Sequence, residues 1–180
     1  MSLSELKHVC LPLSDAERLS LRTGEYVLLS GKLYTARDAA HAKLAKLVAE
    51  QKALPMVFEG QPIYYVGATP ARPGEVIGSC GPTSSYRMDQ FMPALLSRGL
   101  RVTIGKGERS DATLQAMKQV GAIYLIVTGG IGALIAKTVH SSRLVAYPEL
   151  QSEALFEIEV KDFPAIVAFD SVGTDIYQKT

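Results

Sequence analysis

The chain has 180 residues, with 19 Lys and Arg against 18 Asp and Glu and a formal net charge of +1. That length holds one domain, 1–180, with a proper core, and excludes a large multidomain enzyme. So even a charge supplies no field strong enough to call for nucleic acid or an anionic membrane, while a local cluster can still hold a small anion.

Apolar residues make up 47% of the chain and mean hydropathy is +0.12, on the oily side for a soluble domain, which suggests a second surface buried against a partner. Cys10 and Cys80 stand seventy positions apart with no CxxC or Cys/His spacing, so the chain cannot complete a zinc or iron-sulfur site alone. Two reduced thiols in a cytoplasmic protein is the plain reading. No run reaches the ~18 to 20 apolar residues of a membrane span. Glu5, Lys7, Asp15 and Glu17 interrupt the start of the chain, which therefore lacks the apolar region of a signal peptide.

After an irregular start, Glu25 to Gly31 reads as a strand, with Lys32 to Tyr34 extending it. Thr35-Ala-Arg-Asp38 has the form of a capping box, predicting a helix to about Ala53 with Ala40, Leu44, Leu47 and Val48 buried, stopped by Pro55. Gln61 to Gly67 is a second strand. Three units then repeat one pattern of apolar strand, Gly-rich turn and amphipathic helix: Glu75–Ser79 before Met88–Leu96, Arg101–Ile104 before a helix capped by Ser110, and Ala122–Thr128 before a short helix ending near His140. Gly99 and Gly121 close the first two helices. Such a series predicts a parallel sheet carrying helices. Ala154 to Val160 alternates apolar and charged residues as a half-wet strand does, and Phe163 to Phe169 is a buried strand. The expected fold is α/β, with a parallel core layer and a smaller, mostly antiparallel one.

In open α/β sheets ligands lie outside the carboxyl ends of the strands. There Gly81-Pro-Thr-Ser-Ser85 offers hydroxyls and free N–H groups, Arg87 can fork onto a carboxylate or phosphate, and Lys106 and Arg109 add charge from the next unit. The residues alone thus describe an anion pocket, or an ordinary cap and turn among solvated cations. Arg37 sits at a helix start, where a cation opposes the helix dipole, and such placement calls for a ligand or a carboxylate such as Asp38. His41 falls on the same face, four residues on. Cys80 beside Gly81 could be a nucleophile at a turn, but no histidine stands at base spacing from it.

Arg37-Asp-Ala-Ala-His41, Gly81-Pro-Thr-Ser-Ser-Tyr-Arg-Met88 and Lys106-Gly-Glu-Arg-Ser110, in this order, resemble the β subunit, or C-terminal domain, of class I iron-sulfur fumarate hydratases and L-tartrate dehydratases. The likeness runs from about Gly24 to Asp175. It implies a swivelling β/β/α domain and an active site shared with an α subunit that brings three cysteines and a [4Fe-4S] cluster, so no metal is bound by this chain. It also implies that Arg37, Arg87 and Lys106 bind substrate carboxylates and that Gly81, Ser84 and Arg109 are substrate-binding residues with them. By the same likeness Thr83 is the catalytic threonine and His41 an active-site residue, catalytic or supporting. Ser84 stands where a second threonine is usual, and Glu108 where fumarases usually have Asn. The implied activity is reversible hydration of fumarate to L-malate in a hetero-oligomer. The alternatives are an L-tartrate dehydratase β subunit and a stand-alone small-anion-binding module; whether the isolated chain forms a homodimer is left open.

Overall fold

The computed structural model describes residues 6–178. In chain order the first half holds β1 (Lys7–Cys10), α1 (Asp15–Ser20), β2 (Tyr26–Thr35), α2 (Asp38–Ala49), β3 (Ile63–Tyr64) and a 3-10 helix over Ser85–Phe91 that runs into α3 (Met92–Ser97). Then follow β4 (Val102–Gly105), α4 (Asp111–Gln119), β5 (Ile123–Ile126), α5 (Gly132–Ala136), β6 (Val139–Ala146), a 3-10 segment over Pro148–Glu153, and β7 (Leu155–Phe169).

The strands form one mixed sheet in the order β1-β2-β3-β4-β5-β7-β6, with a further pairing of β2 to β7. β1 to β5 are parallel neighbours, linked in part by α2, by α3 with its 3-10 leader, and by α4 as crossovers. β7 runs antiparallel to β2 along one edge, and to β6 and then β5 along the other. The circuit β2-β3-β4-β5-β7 therefore closes on itself.

Side chains alternate between the two faces of this sheet, so each strand feeds two cores. Along β5, Ile123 and Leu125 join Val27, Leu29, Phe163 and Val167 in one cluster, while Tyr124 joins Met88, Met92, Leu95 and Met117 beneath the helices in the other. Fully buried side chains such as Met88, Met92 and Leu95 each contribute roughly 1.5 to 3 kcal/mol from burial.

The alternation of parallel strands and helices and the cap of α4 follow the sequence. Ser110 accepts the Thr113 N–H at the start of α4, and Gly121 sits at φ +63° just past its end. The expected second layer is instead part of the same sheet: its two strands are one, β7, bent at Asp162 (φ +54°), whose N–H donates to Ser30 Oγ at 3.0 Å.

Several local expectations are corrected. Thr35 caps no helix, because pairing with Tyr64 and Phe156 keeps it extended in β2; Arg37 occupies the N-cap, without a side-chain hydrogen bond. α2 stops at Ala49, four residues early, and the chain turns at Gln51 with φ +55°. Glu75–Ser79 is a loop: Thr69 and Ser79 hydrogen-bond each other instead of a neighbouring strand, at 3.1 Å between backbones and 2.8 Å to Thr69 Oγ1. β3 takes the place expected for that segment, and is shorter than the run from Gln61 to Gly67. The helix through Met88 begins as 3-10 because Pro93 has no N–H for the carbonyl four residues back, and Asp89 O receives the Met92 N–H instead. The start read as irregular holds β1 and α1, with a capping box of Ser14 and Glu17 at α1, and the third helix ends at Ala136, not near His140, which lies in β6.

Candidate functional site

Three adjacent parallel strands end on one side, and the residues that follow them carry the charge. Arg37 follows β2, Thr83 and Arg87 follow β3, and Lys106 follows β4. All four stay half-exposed or exposed.

Arg37 stands at the start of α2, where its charge opposes the helix dipole, and two carboxylates compensate. Its guanidinium lies 3.7 Å from Asp38 and 3.4 Å from Glu153, which also accepts the Ala39 N–H at 3.4 Å. Among the described residues Arg37 Nε has no hydrogen-bond partner, and Nη2 meets Glu153 as an ion pair. Arg87 pairs with the same Asp38, Nε donating to Oδ1 at 3.0 Å and Nη2 lying 2.9 Å from Oδ2 as an ion pair. One carboxylate thus joins two arginines from separate loops. Gly67 makes room, since a Cβ there would meet Arg37 Cδ at 3.0 Å.

The threonine loop is fixed by its backbone. Thr83 N–H donates to Tyr65 O at 2.7 Å, Ser84 forms a parallel bridge with Lys106, and Ser85 N–H donates to Lys106 O at 2.9 Å. Lys106 N–H in turn donates to Ser85 Oγ at 3.1 Å. Gly81 is exposed and packs on Gly132, where an added Cβ would fall 2.7 Å from Gly81 N. Asp38 thus joins Arg37 to Arg87, and backbone bonds join Thr83–Ser85 to Lys106, while Gly81, on the same loop as Thr83, lies against Gly132. Two mainly apolar concavities of about 360 and 370 Å³ flank the 69–79 loop, and Arg37, Thr83, Arg87 and Lys106 line neither.

His41 and Arg109 lie behind this surface. His41 is fully buried; its Nδ1–H donates to Arg37 O at 2.9 Å, the ring meets Tyr65 edge-on at 5.2 Å, and Nε2 has no partner among the described residues. Burial, opposed by the bond to Arg37, holds its pKa down at about 4, so the ring is neutral near pH 7. The Arg109 side chain is 0% exposed and bound to Asp89 at 2.7 Å, and therefore does not face the open cluster. Cys80 is buried, and burial pushes its thiol up to about 11, which makes it a poor nucleophile. Sequence reasoning missed Glu153, Asp89 and Tyr65. Nothing local marks Glu153, since 116 positions separate it from the arginine it serves.

The sequence matches the family described as the fumarase C-terminus over residues 3–180. The chain belongs to that family. It is 40% identical over 159 residues to fumarate hydratase 2 of Leishmania major, covering 87% of this chain and 28% of the relative. The anaerobic class I fumarate hydratase of Escherichia coli is 40% identical over 153 residues, 84% of this chain and 28% of the relative. A putative L(+)-tartrate dehydratase subunit beta of Methanocaldococcus jannaschii is 35% identical over 165 residues, 88% of this chain and 85% of that subunit. The chain thus spans little more than a quarter of the fumarate hydratases and most of the β subunit.

Among the described residues no three His, Cys, Asp or Glu side chains are grouped to hold a metal ion, and no helix is long and apolar enough to cross a membrane. Cys10 is exposed on β1 and Cys80 buried in a loop, so these residues do not fit a [4Fe-4S] cluster of their own.

Proposed function

We propose that residues 1–180 act as one β-subunit-type domain of an iron-sulfur hydro-lyase that hydrates fumarate to L-malate reversibly, in the cytoplasm, at a site completed by an α subunit holding the [4Fe-4S] cluster. The observation that carries this reading is the convergence of Arg37, Arg87 and Lys106 at the ends of adjacent parallel strands, with Thr83 on the loop between them. Cations and a hydroxyl without ligand cysteines make half of a site, and the chain spans only 28% of each of the two fumarate hydratases it resembles. The swivelling β/β/α description suits a closed strand circuit with α2, α3 and α4 on one face. Two free thiols, Cys10 and Cys80, suit a reducing compartment.

The chain's own tasks are binding, charge compensation and proton exchange. Arg37, Arg87 and Lys106 clamp the two carboxylates of the substrate, aided by Ser84 and the N–H groups beside Gly81. As the C3 proton leaves malate, negative charge grows on the adjoining carboxylate, and the cations stabilise that charge more than the ground state. Thr83, as an alkoxide stabilised by the neighbouring cations, takes the C3 proton in dehydration while the C–H electron pair forms the double bond and hydroxide leaves C2; in hydration its hydroxyl returns the proton. His41, neutral and buried, supports the Arg37 carbonyl.

A second reading, the β subunit of L-tartrate dehydratase, is favoured by the 85% coverage of that separate β subunit. The third, a stand-alone small-anion module, is separated from both by the partner. The tagged chain, drawn anaerobically from its source, is expected to bring down a larger, iron-bearing, cysteine-containing chain, and the complex to hydrate fumarate. Recovery alone and iron-free at low salt would overturn the half-site reading. Faster turnover of tartrate than of malate by the same complex would move the assignment to the second.

A further inference from the structure

We propose that Arg109 is a positioning residue: its buried guanidinium ties the Lys106 loop to the Thr83–Arg87 turn and sets both in place before substrate arrives. The proposal rests on the reading above for the identity of the substrate contacts, and on geometry for the tie itself.

Arg109 lies three residues after Lys106, and Asp89 two residues after Arg87. Arg109 Nε donates to Asp89 Oδ1 at 2.7 Å, Nη2 lies 2.7 Å from the same oxygen, and Asp89 Oδ2 accepts the Ser110 N–H at 2.7 Å. Nη1 donates to Tyr65 Oη at 3.1 Å and Thr103 Oγ1 at 3.3 Å. The guanidinium carbon sits between two tyrosine rings, 5.4 Å from the centre of Tyr65 and 5.3 Å from that of Tyr124. Only a flat cation with forked donors satisfies all of these at once; a lysine ammonium cannot.

The tie reaches the site through hydroxyls. Lys106 N–H donates to Ser85 Oγ, whose oxygen lies 2.8 Å from Tyr124 Oη, and Tyr124 donates to Gly107 O at 2.8 Å. With the Tyr124 proton committed to Gly107, the Ser85 proton goes to Tyr124, so each hydroxyl donates once and accepts once. Tyr65, which Arg109 covers, gives its carbonyl to the Thr83 N–H at 2.7 Å and its ring edge to His41. Every loop of the open cluster thus has an anchor on this web. A direct substrate contact by Arg109 would require the guanidinium to leave a site where its side chain is 0% exposed.

Amide exchange on the full chain alone reads the tie without any activity. Arg109→Lys, and the milder Tyr65→Phe, should speed exchange at Ser85, Lys106 and Ser110 by roughly tenfold or more, while Ile104 and Leu125 in the neighbouring strands keep their protection. Unchanged rates at Lys106, or an equal rise at all five amides, would overturn the proposal, the second by showing a purely global effect. In the complex with the partner subunit, Arg109→Lys should lower kcat about tenfold, and should add less than about twofold in a Lys106→Gln background. A full tenfold loss in that background would also overturn it. If the wild-type complex turns over neither fumarate nor tartrate, the reaction assigned above fails while the exchange result still decides the role of Arg109.

Discussion

The open cluster and the web beneath it use the same residue types in opposite ways. Arg87 and Arg109 each pair with an aspartate at 2.7 to 3.0 Å, yet the Arg87 side chain is 42% exposed and the Arg109 side chain 0%. In water the pair gains little, because solvent and salt screen it and two long side chains lose freedom. Under the sheet the same pair is held by desolvation: neither charge can be left alone. An arginine that an incoming carboxylate can take from its aspartate belongs to the first kind, and one that must hold still belongs to the second. Thr83 and His41 differ likewise, the one half-exposed on a loop, the other enclosed and neutral.

Thr83→Ala tests the open side most severely. It should cost the complex roughly 100- to 10,000-fold in kcat, the range for a lost proton-transfer group, with assembly intact by native mass. Undiminished turnover would remove the assigned role. On the enclosed side, Arg109→Met leaves Asp89, its side chain only 11% exposed, without its cation and should cost about 3 to 5 kcal/mol in urea unfolding. The double change Arg109→Met with Asp89→Leu should recover part of that; no recovery would mean that the pair is not what holds the two segments.

Acid tests the comparison at His41. The ring is neutral in the fold with a pKa near 4 against an ordinary 6.5, so its stabilisation is complete above 6.5 and is lost as pH falls toward 4. The loss amounts to about 3 kcal/mol. Asp170 acts in the same direction: burial would raise its pKa, but backbone N–H groups of Thr174, Thr23 and Val172 outweigh this and hold it below the ordinary 3.8. Its share is lost at lower pH, as the folded carboxylate takes up a proton. A His41→Phe variant should flatten the unfolding free energy between pH 6.5 and 4, and an unchanged slope would place the acid sensitivity elsewhere.

Smaller effects belong to the exposed ion pairs. Arg87→Ala should lower kcat/KM for the dicarboxylate about ten- to a hundredfold, the worth of one charge-assisted hydrogen bond, and change stability by less than about 1 kcal/mol. An equal loss in both would put Arg87 with Arg109. Alkylation under native conditions should modify exposed Cys10 and spare buried Cys80 until the chain unfolds, as mass spectrometry of the labelled peptides would show.

Much of this was legible in the chain order. The alternation of apolar runs, glycine turns and amphipathic helices announces parallel strands with helices on them, and Ser110 and Gly121 mark the ends of α4 by local chemistry alone. Arg37, Thr83, Arg87 and Lys106 could be singled out because glycines, hydroxyls and cations at helix starts suit an anion, as they also suit an ordinary cap and turn, and because three motifs resemble those of the family. Glu75–Ser79 looked like a strand for equally local reasons, and lost to a loop because the edge it would need is taken by β3.

Tertiary structure alone decided which cations are open and which are enclosed. Arg87 and Arg109 are indistinguishable by type, and each has an acidic residue within reach only after folding, Asp38 at 49 positions and Asp89 at 20. The closing of β2 onto β7 likewise rests on pairings between residues 121 to 140 positions apart, and it places Glu153 beside Arg37. Periodicity and capping act within a few residues, so sequence specifies elements and turn chemistry directly. Burial, and with it the protonation of His41 and the fixed place of Arg109, depends on contacts that exist only once distant segments pack.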